Sequence, residues 1–309
     1  MDTAIVFPAI KPFDFADVAR FLLLNPAARR LVARADETLG YSLIDRFRED
    51  PEEYSEAARV AFMVTCLALA EWAAEELGTA PGICAGPSFG GTPAAVYAGS
   101  LDFSAAVAAT AGWGRRTADY FAREHRDVVT QSFARVPEDR LAEVLLDLDE
   151  RGGWYDIACH VDDDFHMLSV HEHRLDWLKE RLRAAGGLPL YTMRPPMHSA
   201  AFAPLRDVIE LEVLDGVPFA DPQLPIVCDH DGTVLRTAAE VRTMLLDAVV
   251  RPVRWPAVVR TLREADVRTV HVSGPDDLWG RVSCTTDNFE VVALKPEMAL
   301  RPRRRDPVG

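Results

Sequence analysis

The chain has 309 residues, of which 49% are hydrophobic and 27% charged, so there is enough apolar material for one large domain or two smaller ones. Its 48 acidic residues outweigh 34 basic ones, and a net charge of −14 argues against a nucleic-acid binder, which needs a basic face. No apolar stretch is expected to approach the ~20 residues of a membrane span, and the opening "MDTAIVFPAI" lacks the order of a signal peptide, so a cytoplasmic protein is expected.

"TAIVFP" (3–8) is a short β-branched run closed by proline, which predicts a buried strand. The segment that follows it is helical in period and broken at Asn25-Pro26. "SEAARVAFMVTCLALAEWAAEELG" (55–78) starts on serine, stops on glycine and carries a long apolar face, which predicts a deeply buried helix. "GICAG" (82–86) predicts a very short strand. Ser88 comes next, then the helix "TPAAVYAG" and another over 102–125, where glycines 112 and 114 could distort the turn. Alternating strand and helix predicts a parallel α/β core.

The character changes at about residue 126. From there to 197 the pattern reads α-β-β-α-β, and a strand across "VVTQSFARV" completes β-α-β-β-α-β, a ferredoxin-like unit. After 198 the α/β style returns, with "LPIVCDHDG" as strand and turn, "AAEVRTMLLDAVV" and "WPAVVRTLREAD" as helices, and "VRTVHVSGP" as a strand. The predicted fold is α/β: a large parallel-sheet, hydrolase-like domain from 1–125 and 198–309, holding a ferredoxin-like α+β subdomain at 126–197. The five cysteines (66, 84, 159, 228, 284) are widely spaced with no CxxC, which predicts reduced, mostly buried thiols and no zinc site.

The chemistry centres on "GPSFG", where Ser88 sits on a strand-to-helix turn between Gly86 and Gly90. Such a turn exposes the hydroxyl and aims the next backbone N–H at an oxyanion. Serine needs a base to act as a nucleophile. Of the eight histidines, His198 stands out, because "RPPMHSAAFAPL" places it where the insert ends and the large domain resumes, and sites favour such crevices. His271, in "TVHVSG", reads as a half-buried strand residue.

"IVFPAI", "GPSFGGTPAAVYAGSLDF", "PPMHSAAFAPL" and "RPVRWPAVVRTLREADVRTVHVSGP" together resemble the malonyl-CoA:carrier-protein transacylase family, which includes polyketide synthase acyltransferase domains. The resemblance covers nearly the whole chain. It implies that Ser88 accepts the acyl group, that His198 is general base and then acid, and that backbone N–H groups of Phe89 and Ile10 form the oxyanion hole. It further implies that a backbone carbonyl from Val250–Arg254 orients the histidine. The reaction would be ping-pong, from a thioester to Ser88 and then to a phosphopantetheine thiol, with acyl carrier proteins as partners and no bound cofactor or metal.

The departures from the family pattern set the expected substrate. Pro87 and Gly91 replace a histidine and a glutamate, and Pro195-Pro196-Met197-His198 matches neither common pocket motif. Trp113 stands where malonyl-type enzymes place an arginine that pairs with a free carboxylate. Arg115 and Arg116 point elsewhere on the helix. The expected acyl group therefore has no free carboxylate: aminoacyl, dipeptidyl or starter acyl. The "RPPMHS" pocket resembles stand-alone acyltransferases of macrolactam polyketide antibiotic pathways, which act in trans. Arg151, Arg301 and Arg303 are candidates for docking an acidic carrier. Three rivals remain: a malonyl-CoA transacylase, an α/β-hydrolase esterase using His271 with Asp229 or Asp247, and a catalytically degenerate scaffold.

Overall fold

The computed structural model describes residues 2–50 and 52–300. The large domain begins with β1 (Thr3–Val6), α1 (Phe15–Leu24), α2 (Pro26–Leu39), α3 (Leu43–Glu49), α4 (Glu56–Leu77), β2 (Ile83–Ala85), α5 (Gly91–Tyr97) and α6 (Phe103–Glu124). The insert contributes β3 (Val128–Ala134), α7 (Glu138–Glu150), β4 (Tyr155–Asp162), β5 (Phe165–His171), α8 (Leu175–Ala184) and β6 (Leu188–Met193). The chain then returns through α9 (Ala203–Glu212), β7 (Ile226–Val227), β8 (Val234–Leu235), α10 (Ala238–Asp247), β9 (Val253–Arg254) and α11 (Trp255–Glu264). It closes with β10 (Thr269–Ser273), α12 (Ser283–Thr286), β11 (Glu290–Leu294) and α13 (Pro296–Ala299).

These strands form two sheets. The larger runs β11-β10-β1-β2-β7-β8 and is parallel except for the terminal β7–β8 hairpin. Its central strand β1 is flanked on both sides, with Ala4 opposite both Val270 and Ile83. Strands so enclosed must be apolar on both faces, as "TAIV" and "ICA" are. The second sheet runs β6-β3-β5-β4-β9, and its β-α-β-β-α-β order within the insert is the ferredoxin-like arrangement. Its last strand, β9, belongs to the large domain and pairs parallel with β4, Cys159 opposite Val253. A two-residue strand is too short to signal itself in sequence, yet it ties the insert to the segment just after Arg251.

Local chemistry explains the helix bounds. Asn25 both ends α1 and caps α2, its side chain accepting from the Ala28 N–H at 3.2 Å. Ser55 caps α4 in the same way through Ala58 N, and Gly78 ends it in the left-handed conformation, φ 67°. By length and apolarity α4 is sufficient to cross a membrane, with a mean hydropathy of 1.5 over its most apolar window, contrary to the expectation from sequence. That window is 78% buried inside the protein, so its apolarity is that of a core helix enclosed on all sides. Glycines 112 and 114 leave α6 unbroken from Phe103 to Glu124. Four of the five cysteines are buried and all are free.

Candidate active site

The turn after β2 is tighter than most side chains permit. A Cβ on Gly86 would stand 2.0 Å from the Gly90 carbonyl oxygen, and one on Gly90 would stand 2.0 Å from the Phe7 carbonyl oxygen. Glycine at both positions lets the chain fold back on itself and lets the loop after β1 press against it. Ser88 between them takes φ 53°, an unfavourable conformation for a residue with a Cβ, which the surrounding structure must hold in place. A single turn of 3-10 helix, Ser88–Gly90, carries the chain into α5.

His198 lies at the junction between insert and large domain, also with positive φ (66°). Its Nε2 is 2.8 Å from Ser88 Oγ, and its Nδ1 is 3.1 Å from the Arg251 carbonyl oxygen. A carbonyl can only accept, so Nδ1 carries the proton and Nε2 presents a lone pair to the hydroxyl. Two interactions fix that carbonyl: the Arg251 N–H donates to the Asp247 carbonyl at 2.8 Å, and its guanidinium pairs with Asp231 at 3.0 Å. Burial, then the nearby His230, pull His198 down to about 4, against the opposing pull of the Arg251 carbonyl. The imidazole is therefore neutral at pH 7 and able to take a proton. Labelling of Ser88 by a fluorophosphonate should accordingly stay level from pH 8 to 5 and decline only near pH 4. A midpoint at pH 6–7, as for an ordinary histidine, would show that His198 is solvated in the working protein.

Behind the turn, Asp229 is buried and its Oδ2 accepts the Ser88 N–H at 2.6 Å. Sequence reasoning had no means of finding this contact, since a backbone partner leaves no pattern. Asp229 also lies 3.4 Å from Nδ1 of His230, whose Nε2 donates to the Met244 carbonyl at 3.2 Å. Cys228, Asp229 and His230 form a cluster whose ligand atoms fall within 4.8 Å. Burial pushes the Cys228 thiol up to about 12, and Asp229 is engaged by Ser88, so the cluster reads as an anchor for the turn.

A cavity of about 790 Å³ opens in front of Ser88 and His198, between the large domain and the insert. Ile10 and Phe89 line it, and no protein acceptor is assigned to their N–H groups among the described residues. Trp113 forms part of its wall and packs on the cluster around Phe202 and Leu205. Arg115 pairs with Glu56, and Arg116 with Glu212 at 2.8 Å, both away from the cavity. Pro195 and Met197 line the wall, but Pro196 does not; it is buried, because alternate residues of an extended segment face opposite ways. Arg151 caps the end of α7 with its guanidinium over the Trp177 ring at 4.9 Å, on the insert's surface. Arg301 and Arg303 lie outside the described residues. His271 sits within the large sheet opposite Ile5 and Val292, and is absent from the cavity wall. Asp229 and Asp247 are committed to Ser88 and Arg206, so the esterase arrangement does not assemble.

Residues 132–193 match the family model "VinK acyltransferase small domain". The chain is 28% identical to the probable mitochondrial malonyl-CoA-acyl carrier protein transacylase of Drosophila melanogaster, covering 81% of this chain and 69% of that protein. It is 27% identical to the malonyl CoA-acyl carrier protein transacylase of Bacillus subtilis, covering 87% and 86%. Among solved structures, the malonyl-transacylase complexed with a type II polyketide synthase acyl-carrier protein superposes with a TM-score of 0.86 at 23% identity, over 97% of this chain and 98% of that one. FabD from Acinetobacter baumannii superposes at 0.85 with 17% identity, over 96% and 95%. The chain therefore has the transacylase fold, a large α/β domain with a smaller α+β subdomain, and is similar to these enzymes along most of its length.

Proposed function

We propose that this protein is an acyltransferase that moves an acyl group from a thioester to the phosphopantetheine thiol of an acyl carrier protein through an acyl-Ser88 intermediate. In this mechanism Ser88 Oγ attacks the thioester carbonyl and its proton passes to His198 Nε2. The N–H groups of Phe89 and Ile10 receive the oxyanion. The tetrahedral species collapses, the C–S bond breaks, and the imidazolium returns the proton to the departing thiolate. In the second half an incoming thiol gives its proton to His198 and attacks the acyl-Ser carbonyl; the C–O bond to Ser88 breaks and the imidazolium returns the proton to Ser88 Oγ. No resident cofactor or metal enters these steps; phosphopantetheine arrives on the carrier. An acidic carrier would meet the insert near Arg151.

We further propose that the acyl group lacks a free carboxylate next to Trp113 and is aminoacyl, dipeptidyl or a starter chain, carried between carriers in trans in macrolactam polyketide assembly. The observation that carries this reading is Trp113 on the cavity wall, with Arg115 and Arg116 tied up outside it. A carboxylate set against the indole finds no counter-charge on α6, and burying it unpaired there is costly. The match to the VinK small domain supports the same reading. Malonyl transfer is the second reading, favoured by the names of the relatives.

Intact-protein mass after separate exposure to malonyl-CoA and to an aminoacyl thioester on a carrier protein discriminates the two. The expected result is a mass gain on Ser88 from the second donor alone. Rapid labelling by malonyl-CoA would replace the first reading with the second.

A further inference from the structure

Arg59, near the start of α4, is a half-buried arginine on the wall of the same cavity. Its stem passes over Gly114 on α6, the residue after Trp113. A Cβ there would stand 3.1 Å from Arg59 Cδ, so the glycine leaves the path open. Nε donates to the Tyr54 carbonyl at 2.9 Å, and the guanidinium lies 5.9 Å from the centre of the Tyr54 ring. No carboxylate pairs with it among the described residues. Glu56, one turn back, is occupied by Arg115 and by the Tyr41 hydroxyl at 2.7 Å, and Glu53, also on the cavity wall, makes no ion pair with it. Of five guanidinium N–H donors, only the one on Nε has a protein acceptor among the described residues.

A cation without a counter-ion beside an aromatic wall is an uncommon arrangement, because one hydrogen bond and one ring offset only part of its desolvation. Burial pulls Arg59 down to about 10, which leaves it charged at pH 7. The free donors form a planar fork suited to an oxygen acceptor. Trp113 removes a cation from one position of α6, while Gly114 admits one from α4 beside it.

We propose that Arg59 is a specificity-determining residue that donates hydrogen bonds to an oxygen acceptor at the far end of the acyl chain. This rests on the acyl-Ser88 reading above. The acceptor is an amide carbonyl in a peptide-like acyl group or a carboxylate in a dicarboxylic one. The fork serves both, with the acceptor beyond Trp113 rather than against it.

The test measures the rate of Ser88 acylation by intact mass with three N-acetylcysteamine thioesters: butyryl, N-acetyl-β-alanyl and malonyl. These thioesters carry no phosphate, so a contact with the pantetheine arm's phosphate cannot contribute. Arg59→Met should slow at least one acceptor-bearing thioester by about tenfold or more, in keeping with loss of a charge-assisted hydrogen bond, and leave butyryl within about twofold. Loss in the N-acetyl-β-alanyl arm alone assigns an amide, and loss in the malonyl arm alone assigns a carboxylate. Arg59→Lys, which keeps charge but loses the fork, should recover part of the rate, and unfolding temperatures report whether either variant merely loosens α4. Equal slowing of all three thioesters, or of none, would overturn the role of Arg59 while leaving the acyl-Ser88 reading intact. Failure of the wild-type protein to be acylated by any of the three would instead remove the acyl-Ser88 reading, and this inference with it.

Discussion

His198→Ala should slow acylation of Ser88 by about 10³-fold, the scale of a lost general base, while His271→Ala leaves the rate within about twofold. The contrast follows from placement. His198 Nε2 lies 2.8 Å from Ser88 Oγ and its Nδ1 is fixed by the Arg251 carbonyl. His271 is locked into β10 between β1 and β11, so its ring cannot reach the turn after β2. Removing the imidazole at 198 also leaves the departing thiolate without a proton donor, so both halves of the reaction should slow together. Acylation followed by rapid quench and intact mass measures the first half, and transfer to a holo-carrier measures the second. Loss of activity on substituting His271 rather than His198 would restore the esterase arrangement, whose base comes late in the chain.

The parts of this site visible in sequence are those with a local rule. Gly86 and Gly90 flank a serine between a strand and a helix, and their spacing alone predicts a tight turn. Serine and glycine mark both ends of α4, and Asn25-Pro26 separates α1 from α2, because caps act within four residues. Contacts set by tertiary approach have no such rule. Strand β9 has two residues and is held by β4, almost a hundred positions earlier in the chain. In sequence Arg59 is one of several charged positions on α4, and nothing local distinguishes it. Only the fold shows that α6 and Tyr54 surround it. By length and apolarity α4 matches a membrane span, yet its serine and glycine bounds and its apolar face already predict a deeply buried helix, and its burial inside the protein agrees. Pro196 illustrates the limit of a contiguous motif, since one member of Pro195–His198 turns inward while Pro195 and Met197 face the cavity.

Asp229→Ala should slow acylation of Ser88 by about 10²-fold, and Asp229→Asn should stay within a few-fold of the wild type. The Ser88 N–H donates to Asp229 Oδ2 at 2.6 Å and thereby holds a residue at φ 53° that would otherwise relax toward negative φ. A hydrogen bond to a charged group contributes about 1.5–3 kcal/mol, which at 1.4 kcal/mol per decade is about one to two factors of ten. Alanine removes the acceptor and leaves a buried N–H unpaired. Asparagine keeps it, and its fit extends further. His230 Nε2 donates to the Met244 carbonyl, so a neutral ring turns its Nδ1, a buried nitrogen without a hydrogen-bond partner among the described residues, toward Asp229 at 3.4 Å, where it can accept an N–H. Burial drives the Asp229 carboxyl up, and the nearby His230, the Ser88 N–H and Arg251 oppose that rise. An asparagine amide supplies that N–H to a neutral imidazole and still offers its oxygen to Ser88, so geometry survives without charge. Acylation rates of the two variants, with unfolding temperatures as control, separate the possibilities. If asparagine is as slow as alanine, the negative charge itself supports the imidazolium that forms on His198. If alanine is as fast as the wild type, the glycine-lined turn holds Ser88 in place without Asp229.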